Sequence, residues 1–171
     1  MGDMVRTLAI FAVAVLAIVA FLPKTHHGAV ATPVSYSVSL AALRSQAPFP
    51  VYAPVTAPPG WTPNHITVHT PTSADPHASL DLGFYITRGG QYAAVEQSDA
   101  AGFLTAQLGR TPVQGPATTV DGTVWQSWTD SKGHPALVRP VATSTLVLDG
   151  QASAQTLRTL AASLSLRPAT D

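Results

Sequence analysis

The chain has 171 residues, nine of them basic and nine acidic, and no cysteine. A formal charge of zero leaves no basic field for nucleic acid and no polybasic patch for anionic lipid. Without cysteine there is no disulfide, no thiolate metal site and no lipid-bearing cysteine, so the fold must be stable through packing.

Residues 7–22, TLAIFAVAVLAIVAFL, are sixteen positions without a charge. As a helix they reach roughly 24 Å, slightly short of a hydrocarbon core of about 30 Å. Met4 and Val5 lengthen the run if Arg6 snorkels to the headgroups, and Pro23 and Lys24 end it. The run is apolar on every face, which argues against a core helix. The reading is a single transmembrane helix acting as an uncleaved signal anchor over residues 1–23. The alternative is secretion after cleavage near Ala31, where Ala29-Val30-Ala31 has the small-x-small form. Arg6 and the terminal amine against Lys24 favour a cytoplasmic N-terminus. The remainder is then extracytoplasmic, and one partner of the chain is the lipid bilayer.

Residues 24–47 read as a linker and lead-in. His26 and His27 are solvated linker residues in this reading, since a specific metal site needs three or four ligands held in place. Val34, Tyr36, Val38 and Leu40 alternate as a strand would, although Leu40–Gln46 equally suits a helical turn. Residues 48–166 form the domain. It opens with Pro48, Pro50, Pro54, Pro58, Pro59 and Pro63, an extended strap over 48–63 pinned by Trp61.

His65–Thr70 suits a strand with Ile66 and Val68 on one face. A composite metal site from His65, His69, Asp75 and His77 is conceivable, but none is expected. Ser79–Thr87 is the clearest strand, turned at Gly89-Gly90 into a partner over Tyr92–Gln97. Asp99 is placed to cap a short helix over 100–108, closed by Gly109. Asp121-Gly122 marks a second hairpin, with Trp125 and Trp128 on opposite faces of its second strand. Ala136–Arg139 and Thr143–Leu148 continue a meander. Ser153 then caps a helix with Leu157, Leu160, Ala161 and Leu164 on one stripe, and residues 167–171 are a tail. Hairpins without β-α-β alternation give an α+β class: an N-terminal transmembrane helix, then one antiparallel sheet of five to seven strands covered by a C-terminal helix.

The N-terminal span preceded by Asp-Met-Val-Arg (3–6), FPVYAPVTAPPGW (49–61), LDLGFYITRGGQYAAVEQSD (80–99), Gly-x-x-Trp (122–125) and VLDGQASAQTLRTLAASL (147–164) resemble the actinobacterial family catalogued as domain of unknown function 4245. The resemblance implies a single-pass, membrane-anchored extracytoplasmic domain. It implies no catalytic residues.

No G-x-S-x-G, P-loop or dinucleotide fingerprint occurs. Asp81 and Glu96 lie on adjacent predicted strands and could meet as a carboxylate pair, but an exposed hairpin face accounts for them equally. The expectation is no enzyme and no cofactor, but an interaction domain contacting another envelope protein and no nucleic acid. Its candidate surface is Tyr85, Tyr92, Glu96, Gln97 and whichever of Trp125 and Trp128 is not core. A carrier of an apolar ligand or lipid, in a cavity lined by Leu80, Leu82, Phe84, Leu157, Leu160 and Leu164, is the alternative. An envelope hydrolase or a metal-binding sensor is more remote.

Overall fold

The computed structural model describes residues 33–170. The anchor, the cleavage motif at Ala31 and the two linker histidines lie outside the described residues. Among those described, no helix is long and apolar enough to cross a membrane.

Helix α1 spans Ser37–Gln46, which bears out the helical alternative for Leu40–Gln46 and extends it back over positions whose alternation suggested a strand. The correction lies in which residues are buried. Tyr36, Leu40 and Leu43 are buried, a spacing of four then three, while Val38 is 76 % exposed. The strap follows, with Phe49, Val51 and Ala53 buried. It contributes β1, Ala53–Pro54, and leads into β2, Trp61–His69. Strands β3 (Ser79–Ile86) and β4 (Gln91–Ser98) form the first hairpin. A short helix, α2 (Phe103–Leu108), links them to β5 (Val113–Val120), β6 (Thr123–Thr129), β7 (Pro135–Val141) and β8 (Ser144–Gly150). Helix α3 (Ala154–Ser163) is followed by β9, Leu164–Ser165.

The seven-stranded sheet has the order β2-β3-β4-β8-β7-β6-β5, every pair antiparallel. It is two meanders, β2–β4 and β5–β8, joined where β8 returns beside β4. The domain is thus a mostly antiparallel sheet with a C-terminal helix, as the hairpin pattern predicted. Asp121 (φ 46°) and Gly122 (φ 76°) both take positive φ, which a tight I′-like hairpin turn requires. Prolines sit where a missing N–H does least harm. Pro63 lies on the edge strand β2 beside a bulge, Pro116 falls inside the bulge of edge strand β5, and Pro140 lies beyond the residues of β7 that pair with β6.

One sheet face carries Leu80, Leu82, Phe84, Val95, Leu146, Leu148 and Trp125, all at most 1 % exposed. Over it lie Tyr36, Leu40 and Leu43 of the α1 segment and Leu157 and Leu160 of α3. Phe84 meets Tyr36 edge-on at 6.2 Å and Trp61 at 6.0 Å, so Trp61 does pin the strap's end. Ser153 caps α3, its hydroxyl accepting the Thr156 N–H at 3.2 Å. Leu164 does not extend the stripe. It leaves the helix and pairs, in β9, with Pro54 of the strap. Arg44 of α1 ties that helix to the strap and to the β9 segment, donating to the carbonyls of Val51 (3.2 Å), Ser165 (3.1 Å) and Arg167 (2.7 Å).

The second sheet face is divided. Over β6, β7 and β8 a smaller cluster forms from Leu108, Ala136, Val138 and Val147, with Phe103, Leu104 and Trp128 packed against it. Over β2, β3 and β4 no such helix lies among the described residues.

Candidate functional site

Alternation along β3 and β4 sends Leu80, Leu82 and Phe84 into the core and Asp81, Gly83 and Tyr85 to the other face. Register then sets Asp81 directly opposite Glu96, and Tyr85 opposite Tyr92. On β8, Asp149 pairs with Ala94 and so flanks Glu96 diagonally. On β2, His65 lies opposite Gly83 and its Nε2 is 3.2 Å from Asp81 Oδ2. The expected meeting of Asp81 and Glu96 is therefore present, and Asp149 joins it. Asp149 is not among the candidates read from sequence, because the predicted strand over Thr143–Leu148 stops one residue short of it. Its face follows only from the β4–β8 pairing.

Gly83 is the floor. A Cβ there would run into the Tyr92 ring and hydroxyl, so the tyrosine lies across the glycine. The pairing of a small residue with a large diagonal neighbour keeps the ring down against the sheet.

Three acidic side chains share this floor, and their titrations move accordingly. Burial, then the charges of Asp149 and Asp81, raise the Glu96 carboxyl to about 8. Burial, then Asp130 and Asp81, raise Asp149 to about 6, with His134 pulling the other way. Burial and the charges of Asp81, Glu96 and Asp149 push the Tyr92 hydroxyl up to about 12. Nearby, burial pushes Asp130 up, but the His134 and Lys132 N–H groups and the His134 ring outweigh it and hold Asp130 low. Near neutral pH the Glu96 carboxyl is thus mostly protonated.

The other expected residues divide. Tyr85 and Tyr92 are partly exposed on this open half-face. Trp128 is partly buried under α2 on the same sheet face. Trp125 is core, at 1 % exposed, with the Arg139 guanidinium 5.0 Å over its ring. Gln97 is a correction: at 0 % exposed it cannot contact a partner. Its position on β4, one after Glu96, turns it to the core face. The histidines are spread over separate carboxylates: His65 on Asp81, His69 on Asp75 (3.2 Å) and His77 on Asp99 (3.5 Å). Among the described residues no three His, Asp or Glu side chains gather as a metal set.

A family model described as "Protein of unknown function (DUF4245)" matches residues 1–164. No curated protein and no solved structure matches the chain. The chain belongs to the DUF4245 family.

Proposed function

We propose that this protein is a single-pass, membrane-anchored domain of the bacterial cell envelope that binds another envelope protein through the open half-face of its sheet. Residues 7–22 are the anchor in this reading, with the N-terminus cytoplasmic and the domain outside. The uncharged run supports it. The observation that carries the binding role is the surface of β2–β4. There Tyr85, Tyr92, His65, Asp81 and Glu96 are partly or fully exposed, side by side, with no helix of the described residues over them.

The chemistry of that surface selects its partner. Aromatic rings at the edge of a contact supply area at low entropic cost. Beside burial, the charges acting on Glu96 and Asp149 are those of neighbouring carboxyl groups and His134, and among the described residues no lysine or arginine acts on them. A partner that brings a lysine or arginine onto the floor would ionise Glu96 and pair with it. The carrier alternative lacks a comparable observation, since Leu80, Leu82, Phe84, Leu157 and Leu160 pack against one another at 0–1 % exposure.

The test is photocrosslinking of the full chain in its own membrane. A photoreactive residue at Tyr85 or His65 should yield one discrete adduct, absent when the probe is at Val113. Charge reversal by Glu96→Lys should abolish it. Equal adducts at Val113, or an adduct indifferent to Glu96→Lys, would overturn the assignment.

A further inference from the structure

Among the described residues, two of the four exposed large hydrophobic side chains lie on one groove. Val38 (76 % exposed) stands on the outward side of α1, and Leu166 (52 %) on the segment after β9. With Ala41, Pro168 and Ala169 they line a hollow of about 470 Å³. A second hollow of about 520 Å³, lined by Pro33, Val34, Tyr36 and Ala57, adjoins it, because Tyr36 and Ser37 are consecutive, as are Ala169 and Thr170. An apolar surface of this kind is unusual unless something covers it.

Its place in the chain says what does. Ten residues, 23–32, separate the apolar run from Pro33. Fully extended, they span at most about 33–36 Å. The surface around Pro33 is thus the part of the domain tethered closest to the membrane end of the run. Charge agrees with that placement. Among the described residues Arg44 is the one charged residue lining either hollow, and Arg167 adjoins Leu166. Asp81, Glu96 and Asp149 lie on the sheet face opposite the one that α1 covers. The domain therefore carries an apolar, weakly basic surface around Pro33, where its chain begins, and an acidic surface on the opposite sheet face.

We propose that this surface rests on the phospholipid bilayer, with Val38 and Leu166 seated among the interfacial lipids and Arg167 at headgroup phosphate. The inference rests on the anchoring reading above and deepens it. Two side chains and two arginines make a weak membrane contact alone. Tethering converts it to an intramolecular event at an effective concentration in the millimolar range, where weak contacts suffice. Seating the domain this way leaves the acidic half-face of the sheet turned outward, free for a protein partner.

The absence of cysteine makes the test direct. Val38→Cys, Leu166→Cys and Val124→Cys each give one site for an environment-sensitive fluorophore. Val124, 62 % exposed on the acidic sheet face, is the control. Each full-length variant is placed, one copy per disc, in nanodiscs of 7:3 phosphatidylcholine and phosphatidylglycerol with a shallow doxyl-labelled lipid. The expected result is at least twofold stronger quenching at positions 38 and 166 than at 124. Equal quenching at all three, with the chain retained after an alkaline carbonate wash of membranes, overturns the seating and leaves the anchor intact. Release by that wash removes the anchor and the inference with it. Concentration-dependent crosslinking between copies through Val38→Cys would show that a second copy covers the surface, which also overturns the proposal.

Discussion

Gln97 donates its side-chain N–H to the carbonyl of Pro50 at 2.9 Å. The same amide also donates to the Ser144 hydroxyl at 2.9 Å, and its oxygen accepts the Tyr52 N–H at 3.1 Å. One central-strand residue thus holds the strap on both sides of Val51. A proline-rich segment has few N–H groups for a sheet, so its buried backbone needs side-chain partners. Gln97→Leu would leave the Pro50 carbonyl and the Tyr52 N–H unpaired, at a cost of roughly 2–4 kcal/mol. Urea denaturation measures that loss, and limited proteolysis should cut within 50–59 more readily. Unchanged stability and an unchanged cleavage pattern would show that apolar packing alone holds the strap.

Glu96 makes stability depend on pH in the direction opposite to an ordinary surface carboxylate. Folded, its carboxyl titrates near 8. Unfolded, it returns to the usual range near 4. The native state therefore holds this proton more tightly, so the stability linked to it is complete below about pH 4 and is lost as pH rises towards 8. Asp149, raised to about 6, contributes in the same sense over the narrower window from about 4 to 6. Glu96→Gln keeps the shape and removes the titration. It should flatten the decline of Tm between pH 5 and 8, and add on the order of 1–2 kcal/mol at pH 8, since partial exposure weakens the full linkage. Parallel melting curves for the two proteins across that range would contradict the raised titration.

Periodicity made most of this fold legible. Leu80 to Ile86 alternates without interruption, and Asp121-Gly122 and Gly89-Gly90 mark their turns, so the hairpins followed from local chemistry. Around Tyr36 the same rule misled, because Val38 extends the alternation while only Tyr36, Leu40 and Leu43 point inward. Four residues cannot separate a period of two from a period of 3.6 when the exposed member is also apolar. Of the site, Asp81 opposite Glu96 was legible from one hairpin. Asp149 was not, because the pairing of β4 with β8 spans some fifty residues of sequence and no local signal encodes it. The inward turn of Gln97 was legible in principle, since it shares a face with Val95, but a polar side chain suggested solvent.

Asp99 provides a comparison of caps. Its sequence position suggested an N-cap, but the structure uses it across the sheet edge: Oδ1 accepts the Ala78 N–H at 2.9 Å and lies 3.5 Å from His77 Nδ1. Helix α2 begins instead after Gly102, with no side-chain cap. Asp99→Asn should therefore be tolerated, keeping the acceptor, whereas Asp99→Ala should cost about 1–2 kcal/mol. Ser153→Ala, which removes a true cap, should cost about 1 kcal/mol. Chemical denaturation of the three variants gives the ranking, and Asp99→Asn costing as much as Asp99→Ala would place the interaction in the charge.

Gly150 marks the seam between the two meanders, and its substitution tests how much that seam matters. Its φ of +124° is one that L side chains rarely adopt, and a Cβ there would press into the Tyr92 carbonyl and the Ala93 Cα. Both obstacles are backbone, so no rotamer change relieves them. Gly133 has a comparable φ of +88° but nothing within 4 Å of an added Cβ. Gly133→Ala should cost only the left-handed strain, about 1–2 kcal/mol. Gly150→Ala adds a steric collision at the β4–β8 pairing and should cost about 3 kcal/mol or more. The collision would also disturb Asp149 and Tyr92 on the acidic floor, because they flank the same register pair. Equal losses for the two variants would mean that β4 and β8 have room to part, and that the acidic floor does not depend on a rigid seam.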